Sequence, residues 1–194
     1  NLTFDPPDPK SDKPTAREYT IKHFDIRPYL PDDPESTLYR VLKVADGLAS
    51  YSVTDGVGYK QHDWSGSTDS ANLKKGIDCS RSIWFTFTRA GLPYNNGNKY
   101  ITTAGMVNAS GPMNDYFDSC SADPRLQIGD ILVYRDNQRG DSHTVMVIDP
   151  ERRISWGSHG WDGNAKEPKV EPDTGIEYQL IKYKKDWERW DRST

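Results

Sequence analysis

Gly76-Ile77-Asp78-Cys79-Ser80-Arg81-Ser82-Ile83-Trp84-Phe85-Thr86-Phe87-Thr88-Arg89-Ala90-Gly91-Leu92-Pro93 is the stretch from which the rest of the chain is read. It predicts one helix. Asp78 suits the N-cap, and Ile83, Trp84, Phe87 and Ala90 line an inner side. Gly91 ends the helix and Pro93 blocks its continuation. Cys79 therefore stands at a helix N-terminus, where unpaired N–H groups and about half a positive charge favour a thiolate. The same groups suit an oxyanion. A buried structural cysteine on an aromatic-lined helix is the plainer alternative.

A cysteine nucleophile needs an imidazole, and the imidazole needs an orienting partner. His143 opens the apolar run His143-Thr144-Val145-Met146-Val147-Ile148, and His159 closes Trp156-Gly157-Ser158-His159. If these are two strands joined by the three-residue loop Pro150-Glu151-Arg152, residues whose numbers sum to 302 pair. His143 then faces His159, with Cβ atoms roughly 4.5–5.5 Å apart. Ser155 instead faces Val147, about 13 Å along the strand from His143. The pairing prefers His159 to Ser155 as the orienting residue.

Upstream, Pro31-Asp32-Asp33-Pro34 predicts a turn and a second helix, with Asp33 as cap and Leu38, Val41, Leu42, Ala45 and Ala49 as its apolar stripe. Residues 52–76 read as a long polar loop. Short helical pieces are expected near 102–108 and 112–119. Strands are expected at 128–134, 143–148, 154–158 and 176–183. Helices first and strands afterwards give an α+β fold, with the helices packed on a central antiparallel sheet. Residues 1–30, with Pro6, Pro7, Pro9 and Pro14, read as an extended Pro-rich arm, leaving 31–194 as the domain.

Composition narrows the function. The chain has 194 residues and a net charge of -4, so one compact domain is expected. Leu, Ile, Val and Phe are scarce, but 6 Trp and 11 Tyr supply apolar bulk. The 25 basic and 29 acidic residues are interspersed, which speaks against nucleic-acid binding. No apolar run approaches the roughly 18 residues of a membrane span. Two cysteines and four histidines, without a C-x-x-C pair, give no metal site. Cys120 reads as structural, or as half of a disulfide in an oxidising compartment.

The ordered set formed by Gly76-Ile77-Asp78-Cys79-Ser80, Ala90-Gly91-Leu92-Pro93, Leu126-Gln127-Ile128-Gly129-Asp130-Ile131-Leu132-Val133-Tyr134 and His143-Thr144-Val145-Met146-Val147-Ile148 resembles the NlpC-type family of cell-wall cysteine peptidases. The likeness covers about residues 50–160. It implies a papain-like fold and hydrolysis of amide bonds in bacterial peptidoglycan peptides, with Cys79 as nucleophile and His143 as general base. Tyr59, Asp78 and Ser80 match substrate-holding positions. Asp78 as a plain cap and Ser80 as a plain first-turn residue are equally good readings. Arg81 replaces the family's usual glycine, placing charge and bulk next to the nucleophile and suggesting an altered pocket. The family's third polar residue falls near Ser155 by simple spacing and at His159 by hairpin pairing.

The resemblance also implies no cofactor, a peptidoglycan peptide as substrate, and action outside the cytoplasm, in a secreted or periplasmic setting. An antibacterial effector held by a cognate immunity protein is one form of that reading. Two further functions stay open. One is a papain-like acyltransferase or peptidase with another substrate, motivated by Arg81. The other is a non-catalytic binding module stacking sugars on Trp64, Trp161, Trp187 or Trp190, against which ordinary core filling is the alternative.

Overall fold

A computed structural model describes residues 20–21, 24–55, 58–60, 73, 76–94, 100–106, 112–119, 125–136, 141–159, 175–180 and 187–192. The fold is α+β. Among the described residues, three α-helices, α1 (Thr37–Asp55), α2 (Cys79–Arg89) and the short α3 (Thr103–Met106), precede most of the strands. The strands are β1 (Thr20–Ile21), β2 (Phe117–Ser119), β3 (Ile131–Asp136), β4 (Asp141–Asp149), β5 (Ile154–His159), β6 (Gly175–Leu180) and β7 (Trp187–Arg192). They form one antiparallel sheet in the order β1-β6-β5-β4-β3-β7-β2.

Alternation along the strands makes two cores of unequal size. Ile131, Val133, Met146, Ile148, Ile154, Trp156, Ile176 and Tyr178 join Val41, Leu42 and Ala45 of α1 and Ile83, Trp84 and Phe87 of α2 in the main one. Leu132, Val145 and Val147, with Leu126 against them, cover the other face. Two polar bonds pin α1 to the sheet. Trp156 Nε1–H donates to the Ala45 carbonyl at 2.9 Å, and the Tyr178 hydroxyl donates to Asp46 at 2.8 Å. Each gives a buried aromatic its polar partner.

Several boundaries differ from the sequence reading, each for a local reason. Asp33 does not cap α1. Its carboxylate accepts the Glu35 N–H in a preceding turn, and Ser36 Oγ takes over as cap by accepting the Tyr39 N–H at 3.2 Å. The helix runs on to Asp55, shortening the expected loop. Strand β3 starts at Ile131, because Gly129 at φ +89° belongs to a turn in which Asp130 accepts the Gln127 N–H. Of the stretch 112–119 expected to be helical, Pro112–Asp115 is a short 3-10 helix and Phe117–Ser119 is strand β2, while β7 was not anticipated.

The N-terminal boundary also moves. Thr20 and Ile21 pair with Gln179 and Tyr178, Ile26 is buried, and the Phe24 ring stacks on Tyr178 at 4.5 Å. Residues 20–30 therefore belong to the domain, and the proline-rich residues 1–19 lie outside the described residues. So do Cys120, Trp64 and Trp161. Trp187 and Trp190 lie on β7. Among the described residues, no helix is long and apolar enough to cross a membrane.

Candidate active site

The α2 N-terminus is built as its residues predict. Asp78 is extended (φ -83°, ψ 176°) and accepts the Arg81 N–H at 2.8 Å and the Ser80 hydroxyl at 3.0 Å. At the far end Gly91 takes φ +94°, and the Leu92 N–H donates to the Phe87 carbonyl. Every residue from Cys79 to Phe87 is buried. Just upstream, Gly76 takes φ +86°, and the Ile77 N–H donates to the Gly58 carbonyl at 3.1 Å. That bond brings Tyr59 to the helix tip.

The β4–β5 hairpin has the expected register by an unexpected route. Met146 pairs with Trp156 and Val147 with Ser155, both summing to 302. The loop is one residue longer than expected, spanning Pro150–Arg153, with Arg153 at φ +58°. Asp149 therefore pairs with Ile154, and a bulge between Val147 and Asp149 restores the register. Among the described residues the pairing stops at Met146↔Trp156. Beyond it the helix tip makes the contacts: Ser158 Oγ–H donates to the Ile77 carbonyl at 2.6 Å, and the Thr144 N–H points at the Cys79 sulfur.

Cys79 is 4 % exposed. Burial, then the neighbouring Asp78 carboxylate, pushes its thiol up to about 12. The Thr144 and Ser80 N–H groups and the Tyr59 hydroxyl act in the opposite direction. The sulfur thus sits on the peptide unit that follows His143. His143 and His159 extend the rows of Val145 and Gly157, on the side of the hairpin away from the main core, and their ring centroids are 4.8 Å apart. His143 Nε2 is enclosed and makes no hydrogen bond among the described residues. Burial lowers His143 to about 4; burial and then His143 lower His159 well below the usual imidazole range.

The remaining expected residues separate. Tyr59 is buried at the sulfur. Asp78 and Ser80 are tied to each other in the cap. Ser155 turns toward β6, its hydroxyl donating to the Gln179 carbonyl at 3.2 Å. Arg81 does not crowd the nucleophile. Two helical positions rotate a side chain by about 200°, and its fully buried guanidinium lies 4.2 Å over the Tyr100 ring.

The sequence reading missed Glu177. Its carboxylate oxygen lies 3.7 Å from His159 Nδ1, which also stands 3.1 Å from the Gly157 carbonyl. Only the adjacency of β5 and β6, where Gly157 pairs with Glu177, could have pointed to it. Chemically, the corner offers a sulfur at an electropositive helix tip, a neutral imidazole pair and a carboxylate behind it. Searches of family models, curated proteins and solved structures return no match to this chain.

Proposed function

We propose that the chain is a papain-like cysteine peptidase or amidase that hydrolyses amide bonds in bacterial peptidoglycan peptides. The observation that carries this reading is the Cys79 sulfur at the first residue of α2, against the Thr144 N–H, with the His143 and His159 rings 4.8 Å apart on the adjoining strand ends. The thiol and imidazole are both neutral at pH 7, so His143 takes the thiol proton as the sulfur attacks the amide carbon. N–H groups at the helix tip receive the oxyanion. His143 then protonates the amine as the C–N bond breaks. Water attacks the thioester, passes a proton to His143, and releases the acid with the thiol restored. His159 orients His143 throughout.

Purified sacculi test this directly. The wild type releases soluble peptide-bearing fragments, and mass spectrometry of them identifies the bond cut. Cys79→Ala and His143→Ala release none. Equal release by the wild type and Cys79→Ala removes the reading. The reading also entails delivery outside the cytoplasm, as a secreted or periplasmic protein, and a site that a cognate immunity protein would cover.

One observation favours a second reading, a module that holds cell-wall peptide without cutting it. The sulfur is nearly inaccessible and its thiol is pushed up to about 12. A Cys79 that resists iodoacetamide at neutral pH, in a protein that still sediments with sacculi, would decide for it.

A further inference from the structure

What His159 touches fixes where its proton sits. Among the described residues its Nδ1 faces two acceptors and no donor: the Gly157 carbonyl at 3.1 Å and Glu177 Oε1 at 3.7 Å, the latter within ion-pair reach. A nitrogen facing only acceptors carries the proton. That leaves the His159 Nε2 lone pair as an acceptor. Among the described residues the buried Nε2 of His143 makes no hydrogen bond, and it belongs to the ring 4.8 Å away. Protonated there, it can donate to His159, which leaves His143 Nδ1 as the acceptor that the proposed reaction requires. The Gln179 amide also donates to Glu177 Oε1, which aims the carboxylate.

We infer that Glu177 is a positioning residue that acts through His159, locking it as the Nδ1–H tautomer and offsetting the positive charge that His143 acquires during the reaction. This rests on the proposed reaction of Cys79, His143 and His159. The pattern is the general one of a base oriented by a polar partner, extended by one carboxylate. Among the described residues, the titratable groups brought to this corner are His143 from β4, Glu177 from β6, Cys79 with Asp78 at the start of α2, and Tyr59 at the Cys79 sulfur. Among them Glu177 is the anion within ion-pair reach of His159. Strand pairing of β5 with β6 holds it there whether or not substrate is bound.

The test uses the full chain with 15N-labelled histidine, read by NMR at pH 7 without substrate, together with steady-state kinetics on peptidoglycan peptides. In the wild type His159 is protonated at Nδ1. In Glu177→Gln, which keeps the size and removes the charge, the ratio of Nδ1–H to Nε2–H tautomers falls roughly tenfold, the equivalent of one pH unit of charge interaction. Turnover falls with it while KM stays, and Glu177→Asp recovers most of both. A wild-type His159 protonated at Nε2 overturns the inference without any variant. So does an unchanged tautomer ratio in a folded Glu177→Gln protein. Intact sacculi with the expected NMR change would instead sink the peptidase reading alone, because the NMR readout involves no substrate.

Discussion

Ser158 and Ile77 lie 81 positions apart, yet the Ser158 hydroxyl donates to the Ile77 carbonyl at 2.6 Å. Ile77 is two residues before Cys79, and Ser158 is the residue before His159. This one bond therefore ties the helix tip to the strand end that carries the His159 imidazole. Both partners are fully buried, so neither has water as an alternative.

Ser158→Ala leaves a buried carbonyl unsatisfied and should cost about 1–3 kcal/mol. Urea denaturation of the two proteins measures it. A loss below about 0.5 kcal/mol would mean that other contacts hold the tip. Activity should drop further than stability, since the bond positions both halves of the site.

Gly76→Ala should damage the same corner from the other side. At φ +86° any L side chain is strained by about 1–2 kcal/mol. An added Cβ would also stand 2.5 Å from Lys60 Cβ and 3.2 Å from the Gly58 carbonyl. Neither is the free end of a flexible chain, so the backbone around Tyr59 must move. The expected result is a lower melting temperature together with a changed rate of Cys79 alkylation. A thermal melt matching the wild type would contradict the geometry.

What was legible in the sequence was local or followed from parity. Capping chemistry gave the limits of α2, because Asp78 and Gly91 act on their immediate neighbours. The nearness of the His143 and His159 rings was readable because register in a hairpin is arithmetic, and the bulge compensated the miscounted loop, although the described pairing stops at Met146↔Trp156. Asp33 misled because a turn and a helix cap use the same side chain, and only the competing Ser36 decided between them. Arg81 misled because nearness in sequence was taken for nearness in space. Glu177 was invisible because sheet order places it, and strand order across β4, β5 and β6 has no signature in any one segment.

Asp78 has two roles that a pair of substitutions can separate. As cap it accepts the Arg81 N–H; as an anion it holds the thiol proton on Cys79. Asp78→Ala loses both and should cost about 0.5–2 kcal/mol of stability. Asp78→Asn keeps an acceptor for the cap and removes the charge. It should leave stability nearly unchanged and make Cys79 more acidic, seen as faster iodoacetamide alkylation at a fixed mildly alkaline pH. Slower alkylation in Asp78→Asn would show that the carboxylate does not oppose the thiolate.

The buried thiol and imidazole also set the pH range of the fold. His143 is lowered from 6.5 to about 4, so between those values the unfolded chain binds the extra proton. Its contribution is complete above pH 6.5 and is lost as pH falls through 4. Cys79 is raised from 9.0 to about 12, so its contribution is complete below pH 9 and is lost as pH rises through 12. Stability should therefore be flat near neutrality and fall on both sides, with His143 contributing on the order of 3 kcal/mol to the acid limb. His143→Gln should remove its share of the acid limb and leave that of His159, whose imidazole burial also lowers, and Cys79→Ala should shrink the alkaline limb. Denaturant midpoints from pH 4 to 11 measure both limbs, and an acid limb unaltered by His143→Gln would place the responsible proton on another group.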